Sequence, residues 1–203
     1  ITGLLLALPL LKADSEIVVT SSLESKSYID MTLSAMNRFG VTAIETENGY
    51  KVYGNQSYKP QHLNIEGDWS QAAFFLAAGA LGGNVSIENL DTASYQGDKA
   101  IYQLLRQFGA DITINGQVLS CKHNKLNGIE IDAENIPDLV PILAVVAALA
   151  EGTTTITGAA RLRIKESDRL HAITEGLNKL GADITELPDG LRINGVKSLH
   201  GGA

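Results

Sequence analysis

Lys179-Leu180-Gly181-Ala182-Asp183 closes a helix-period run and opens a strand-like one. The same ending occurs twice upstream, as Gln107-Phe108-Gly109-Ala110-Asp111 and Arg38-Phe39-Gly40-Val41-Thr42. The glycines lie 69 and 72 residues apart. Each stands just past a helix end, where a left-handed backbone suits glycine best. A cation (Arg38, Arg106, Lys179) sits shortly before each glycine, at the end of the helix dipole that favours positive charge. Self-similarity at this period marks a repeated supersecondary unit.

Working outward from these endings, the rest of the unit repeats too. A more apolar helix precedes each one, over 3–11, 70–81 and 138–150, followed by a β-rich run at 17–20, 84–87 and 153–157. After the second helix come two strands, as at 182–186 and 190–193, joined by the turn Pro188-Asp189-Gly190. Further strands at 62–65 and 128–132 precede the first helix of the later two units. The fold class is therefore α/β (α+β), three repeated units of the βαβαββ kind.

Composition bounds the function. With 44% hydrophobic and 19% charged residues in 203, the chain is an ordinary globular protein able to bury a core. A net charge of −7 argues against nucleic-acid binding but not against a small anion held by a local cluster of cations. The apolar start, Leu4 to Leu11, is interrupted by Pro9 and too short to span a bilayer. It also lacks the basic flank of a signal peptide. No membrane association is expected, and a lone cysteine, Cys121, fits a cytoplasmic setting and reads as a buried thiol. The four histidines lack metal-ligand spacing, so no metal is expected, and no cofactor.

The chemistry concentrates in Arg161-Leu162-Arg163-Ile164-Lys165-Glu166-Ser167-Asp168-Arg169, four cations and two carboxylates leading into an amphipathic helix. Guanidinium forks and N–H donors around one small volume suit a phosphate or carboxylate, though a solvated charged turn has the same composition. A cation in a helix's first turn opposes the macrodipole, so Arg169 and Lys165 are placed for a ligand rather than for the helix. Asp138 opens the most apolar helix, where a carboxylate is well placed as an N-cap.

The string Arg163-Ile164-Lys165-Glu166-Ser167-Asp168-Arg169-Leu170, with the helix ending at Gly181, resembles the second signature of the 5-enolpyruvylshikimate-3-phosphate synthase family. That resemblance implies the inside-out α/β barrel of the enolpyruvyl transferases: two domains of three units each, with buried parallel helices and sheets facing solvent. It implies transfer of the enolpyruvyl group of phosphoenolpyruvate to the 5-hydroxyl of shikimate 3-phosphate, in aromatic amino-acid biosynthesis, by a monomer. By the resemblance Lys165 bridges the two substrates, Arg169 holds the phosphoenolpyruvate carboxylate and Glu166 is the proposed proton donor. Asp138 binds the attacking hydroxyl and is the proposed proton acceptor. Ser25-Lys26-Ser27-Tyr28-Ile29-Asp30 resembles the family's Ser-Lys-Pro-Tyr-Ile-Asp stretch, which carries Ser25 and Tyr28 over as contacts to shikimate 3-phosphate. A helix N-cap at Ser25 or Ser27 is the structural alternative. Arg161 stands where some members have asparagine and receives no role, and Arg163 and Asp168 read as scaffold charges.

The resemblance covers the whole chain, yet the family's Ser-Ser-Gln, Gly-rich-loop and Asn-Asp-His-Arg motifs have no match here. The chain is therefore expected to be the middle of a longer protein, inactive by itself. Residues 1–67 would be the last repeat of the N-terminal domain and 68–203 the first two of the C-terminal domain. Other readings are the UDP-N-acetylglucosamine enolpyruvyl transferases, whose loop cysteine acid Cys121 does not match, and a non-catalytic anion- or partner-binding module.

Overall fold

The computed structural model describes residues 1–21, 23 and 25–201. The three recurrent glycines take left-handed angles, φ +78° at Gly40, +115° at Gly109 and +91° at Gly181. Each helix ends in the same six-to-one backbone bond: Val41 N–H to Met36 C=O, Ala110 to Leu105 and Ala182 to Leu177. Side chains then fasten two of these helices to the next strand. Arg106 Nη2 donates to the Ile112 carbonyl (2.9 Å), and the Asn178 amide bonds both the N–H and the C=O of Ile184 (2.9 Å each).

Two compact units result, Ile1–Ile65 with Tyr95–Gly97, and Glu66–Ser94 with Asp98–Ala203. The first holds helices α1 (Thr2–Ala7) and α2 (Lys26–Arg38) and strands β1 (Ser15–Val18), β2 (Ala43–Thr46) and β3 (Gly49–Val52). Its antiparallel sheet runs β1-β3-β2. The expected helix over 3–11 is shorter, because Pro9 has no N–H to donate; the chain tightens into a 3-10 turn at Leu8–Leu10.

The second unit contains two repeats. One is α3 (Trp69–Leu81), β4 (Asn84–Ile87), α4 (Ala100–Phe108), β5 (Asp111–Asn115) and β6 (Val118–Lys122), with sheet order β4-β6-β5. The other is β7 (Glu130–Asp132), α5 (Val140–Ala148), β8 (Thr153–Thr157), α6 (Arg169–Lys179), β9 (Asp183–Leu187) and β10 (Gly190–Asn194). Its sheet runs β7-β8-β10-β9, with β7 parallel to β8 and the other pairs antiparallel. The hairpin from β9 to β10 requires glycine at 190, since a Cβ there would stand 1.8 Å from the Ile156 carbonyl oxygen. The strand expected at 62–65 does not form. Residues 61–68 have no regular secondary structure and Ile65 is 80% exposed.

Helices α3 and α5 pack on each other at the centre of the second unit. Both are apolar on nearly every side, as buried helices are. Trp69, Leu76, Leu139, Val140, Leu143 and Val146 are wholly buried, each stabilising the core by about 1.5–3 kcal/mol. Asp68 caps α3, accepting from the N–H groups of Ser70 (2.8 Å) and Gln71 (3.1 Å). No helix among the described residues is long and apolar enough to cross a membrane.

Candidate active site

Arg163 anchors the charged run. It lies in a 3-10 turn, Ala160–Ile164, beside the buried Leu162. Its guanidinium donates to Glu186 Oε1 (2.6 Å), Asp168 Oδ2 (2.9 Å), the Pro188 carbonyl (2.9 Å) and the Leu187 carbonyl (2.5 Å). Every acceptor but Asp168 belongs to β9 or the turn after it, so the run is pinned to the sheet before α6 begins. Asp168 caps α6, accepting from the His171 N–H (3.1 Å); that bond and then Arg163 hold its carboxyl below the usual range. Arg163 and Asp168 are thus committed to the scaffold.

Arg169, the first residue of α6, faces the site. Its Nη1 donates to Asp138 Oδ1 at 2.8 Å. Its Nε and Nη2 reach Glu166 Oε2 and Oε1 at 3.2 and 2.5 Å, a two-pronged fork. The Glu166 bond, and then Asp138, raise the guanidinium's affinity for its proton. Asp138 lies 31 positions earlier, in a 3-10 turn at Pro137–Leu139 that precedes α5. The expected N-cap at Asp138 is therefore a correction: Leu139 holds the cap position of α5 and no side chain caps it. The extra 3-10 turn directs the Asp138 carboxylate to Arg169 instead.

Arg169 holds Glu166 below the ordinary glutamate range, first through the fork, with Lys165 adding its charge. Glu166 is here a carboxylate, not an acid. Lys165 is exposed, in extended backbone at the end of the 3-10 turn, and makes no hydrogen bond or ion pair with another described residue. It is a cation available to an anionic ligand. Arg161 is half-buried in the same turn.

One acidic residue escaped the sequence reading. Asp98 is only 8% exposed and accepts a hydrogen bond from the Ser70 hydroxyl. Burial raises its carboxyl pKa, the Ser70 bond opposes that rise, and the charges of Asp138 and Asp68 add to it. The signal was available in Gly97-Asp98-Lys99, polar residues opening an otherwise amphipathic helix.

Ser25 and Tyr28 belong to the first unit, at the start of α2, whereas Asp138, Lys165, Glu166 and Arg169 belong to the second. Ser25 holds the N-cap position in a left-handed conformation (φ 54°, ψ 45°), uncommon for a residue with a Cβ. Its hydroxyl makes no capping bond, and Ser27 Oγ is buried with no hydrogen-bond partner among the described residues. The helix-cap alternative for either serine is not what is observed. Tyr28 is 48% exposed.

The sequence-family model described as EPSP synthase (3-phosphoshikimate 1-carboxyvinyltransferase) matches residues 1–203. A 3-phosphoshikimate 1-carboxyvinyltransferase of Clostridium perfringens is 55% identical over 206 residues, spanning 100% of this chain and 48% of the relative. One from Methanocaldococcus jannaschii is 49% identical over 203 residues, spanning 99% and 47%. The chain thus spans about half the length of the curated relatives it matches. Among solved structures, an EPSP synthase from Acinetobacter baumannii superposes with a TM-score of 0.79 at 29% identity, over 97% of this chain and 46% of that one. The enolpyruvyl transferase NikO from Streptomyces tendae superposes at 0.69 with 16% identity, over 94% and 45%, a likeness of fold alone.

Proposed function

The chain belongs to the EPSP synthase family, and from that premise we propose that the full-length protein transfers the enolpyruvyl group of phosphoenolpyruvate to the 5-hydroxyl of shikimate 3-phosphate, releasing phosphate. The observation that carries this reading is the chain Asp138–Arg169–Glu166 with the exposed Lys165 beside it. The reaction adds the hydroxyl across the enol double bond and then eliminates phosphate. It needs a base at the hydroxyl, an acid at the methylene carbon and cations for a phosphate and a carboxylate. Asp138 supplies the base, Glu166 the acid, Arg169 the carboxylate site and Lys165 the cation between the substrates. Ser25 and Tyr28, at the start of α2, hold shikimate 3-phosphate.

In this reading residues 1–67 are the last repeat of an N-terminal domain and 68–203 the first two of a C-terminal one. The whole protein works as a monomer in the cytoplasm, in the shikimate route to aromatic amino acids. Residues 1–203 alone do not turn over, since each missing charge-assisted contact costs about 1.5–3 kcal/mol of binding. The test is phosphate release by the full-length protein given both substrates. Release only when UDP-N-acetylglucosamine replaces shikimate 3-phosphate, or none at all, overturns the assignment.

A further inference from the structure

We propose that Glu166 is an internal stand-in for the substrate's carboxylate: it occupies the Nε–Nη2 edge of Arg169, and phosphoenolpyruvate must displace it from that edge to bind. The inference rests on the substrate reading above and goes beyond it, because it makes substrate binding and release of the proton donor a single exchange.

Geometry supplies the first argument. The Nε–Nη2 edge is where a guanidinium takes a carboxylate two-pronged, and both Glu166 oxygens are on it. The second argument is exposure. The Asp138 and Arg169 side chains are 30% and 26% exposed, while Glu166 is 69% exposed. Asp138 on Nη1 is the fixed arm and Glu166 the exchangeable one. Charge supplies the third. Glu166 and a ligand carboxylate are like charges that need the same guanidinium edge, so they cannot hold it together and one must leave. Glu166, more exposed than Asp138, is the one placed to move into solvent.

The charged groups described around this exchange are Lys165, Arg169, Asp138 and the buried Asp98, with Arg161 in the same turn. Glu166 faces Arg169 across the start of α6 and the neighbouring Lys165. Arg169 faces Asp138, whose charge is felt by the buried Asp98. Once Glu166 leaves Arg169, the chief influence holding it deprotonated is gone, and a nearby phosphate favours its protonated form. The substrate thereby turns a latch into an acid.

The experiment uses the full-length protein and phosphoenolpyruvate itself, measured by equilibrium binding to wild type and to Glu166→Gln. With the competitor neutralised, the variant is expected to bind about threefold to tenfold tighter while losing turnover, since apparent affinity scales with the fraction of open sites. In the wild type, carbon-13 NMR of the Glu166 carboxyl is expected to show titration below the ordinary range, moving upward when phosphoenolpyruvate is added. Equal or weaker binding by a folded variant, or an unmoved Glu166 titration with phosphoenolpyruvate bound, overturns the exchange and leaves the substrate assignment standing. Failure of wild type to bind phosphoenolpyruvate, with or without shikimate 3-phosphate, overturns both.

Discussion

Removing the Arg169 guanidinium separates its role toward ligand from its role in the fold. Arg169→Ala deletes the ion pair to Asp138, between side chains 26% and 30% exposed. A pair of that kind contributes about 0.2–1 kcal/mol. The arm to Glu166 is open to solvent and adds little. Against this, a cation in the first turn of α6 opposes the helix dipole by about 0.3–1 kcal/mol. The two effects nearly cancel, leaving a net change under about 1 kcal/mol. For a domain of about 150–250 residues that moves the melting temperature by at most about 2–4 °C. Binding is another matter. Losing a charge-assisted contact to a carboxylate costs about 1.5–3 kcal/mol, or roughly 10–150-fold in phosphoenolpyruvate affinity. Paired thermal unfolding and steady-state kinetics on the full-length protein read both quantities. A variant that melts far lower while its folded fraction keeps normal kinetics would show that Arg169 is structural, and the site reading would fail with it.

Three further outcomes follow from the geometry. Arg163→Met removes the Arg163 bonds to Glu186, Leu187 and Pro188 that tie the run to β9 and its turn, so hydrogen exchange at 160–168 should rise and KM for both substrates should increase; unchanged exchange there refutes the anchor. Glu166, Asp168 and Glu175 are all held below the usual carboxylate range, by Arg169, the His171 N–H and Lys179 respectively. The unfolded chain binds their protons first, so their stabilisation is present above the unfolded carboxylate pKa (about 4) and lost as pH falls through the folded values. Urea midpoints at pH 6 and pH 3.5 should show that loss, and an unchanged or higher midpoint at the lower pH contradicts it. Cys121 is buried on β6 with its thiol pushed up to about 11, first by burial and then by Asp111. At pH 8 only about one thiol in a thousand is ionised, so a disulfide reagent should label it only after unfolding. Rapid labelling of native protein would show the thiol to be accessible.

What could be read from the sequence was what local geometry decides. Gly40, Gly109 and Gly181 announced three helix ends because a left-handed residue past a helix is a local requirement, and all three took it. The cap of α3 by Asp68 rests on an equally local rule. The strands at 84–87 and 153–157 formed where their β-rich runs lay. The segment at 62–65 had a comparable pattern and failed, because a strand also needs an edge to join, and no sequence window contains that edge.

The site is the harder case, and its two arginines show why. Arg163 and Arg169 stand six positions apart in one charged run, and although the helix dipole sets Arg169 apart, no local rule names the acceptors of either. Each follows or precedes a buried leucine, Leu162 before Arg163 and Leu170 after Arg169, but their acceptors lie on different elements. Arg163 turns toward β9, where Glu186 and two carbonyls wait; Arg169 turns toward the 3-10 turn before α5, where Asp138 waits. These acceptors lie 23 to 31 positions away from their arginines in the chain. A resemblance to a family could name Asp138, Glu166 and Arg169 as partners of a substrate. It could not show that they are first partners of one another, and that is what makes Glu166 an obstacle the substrate has to move.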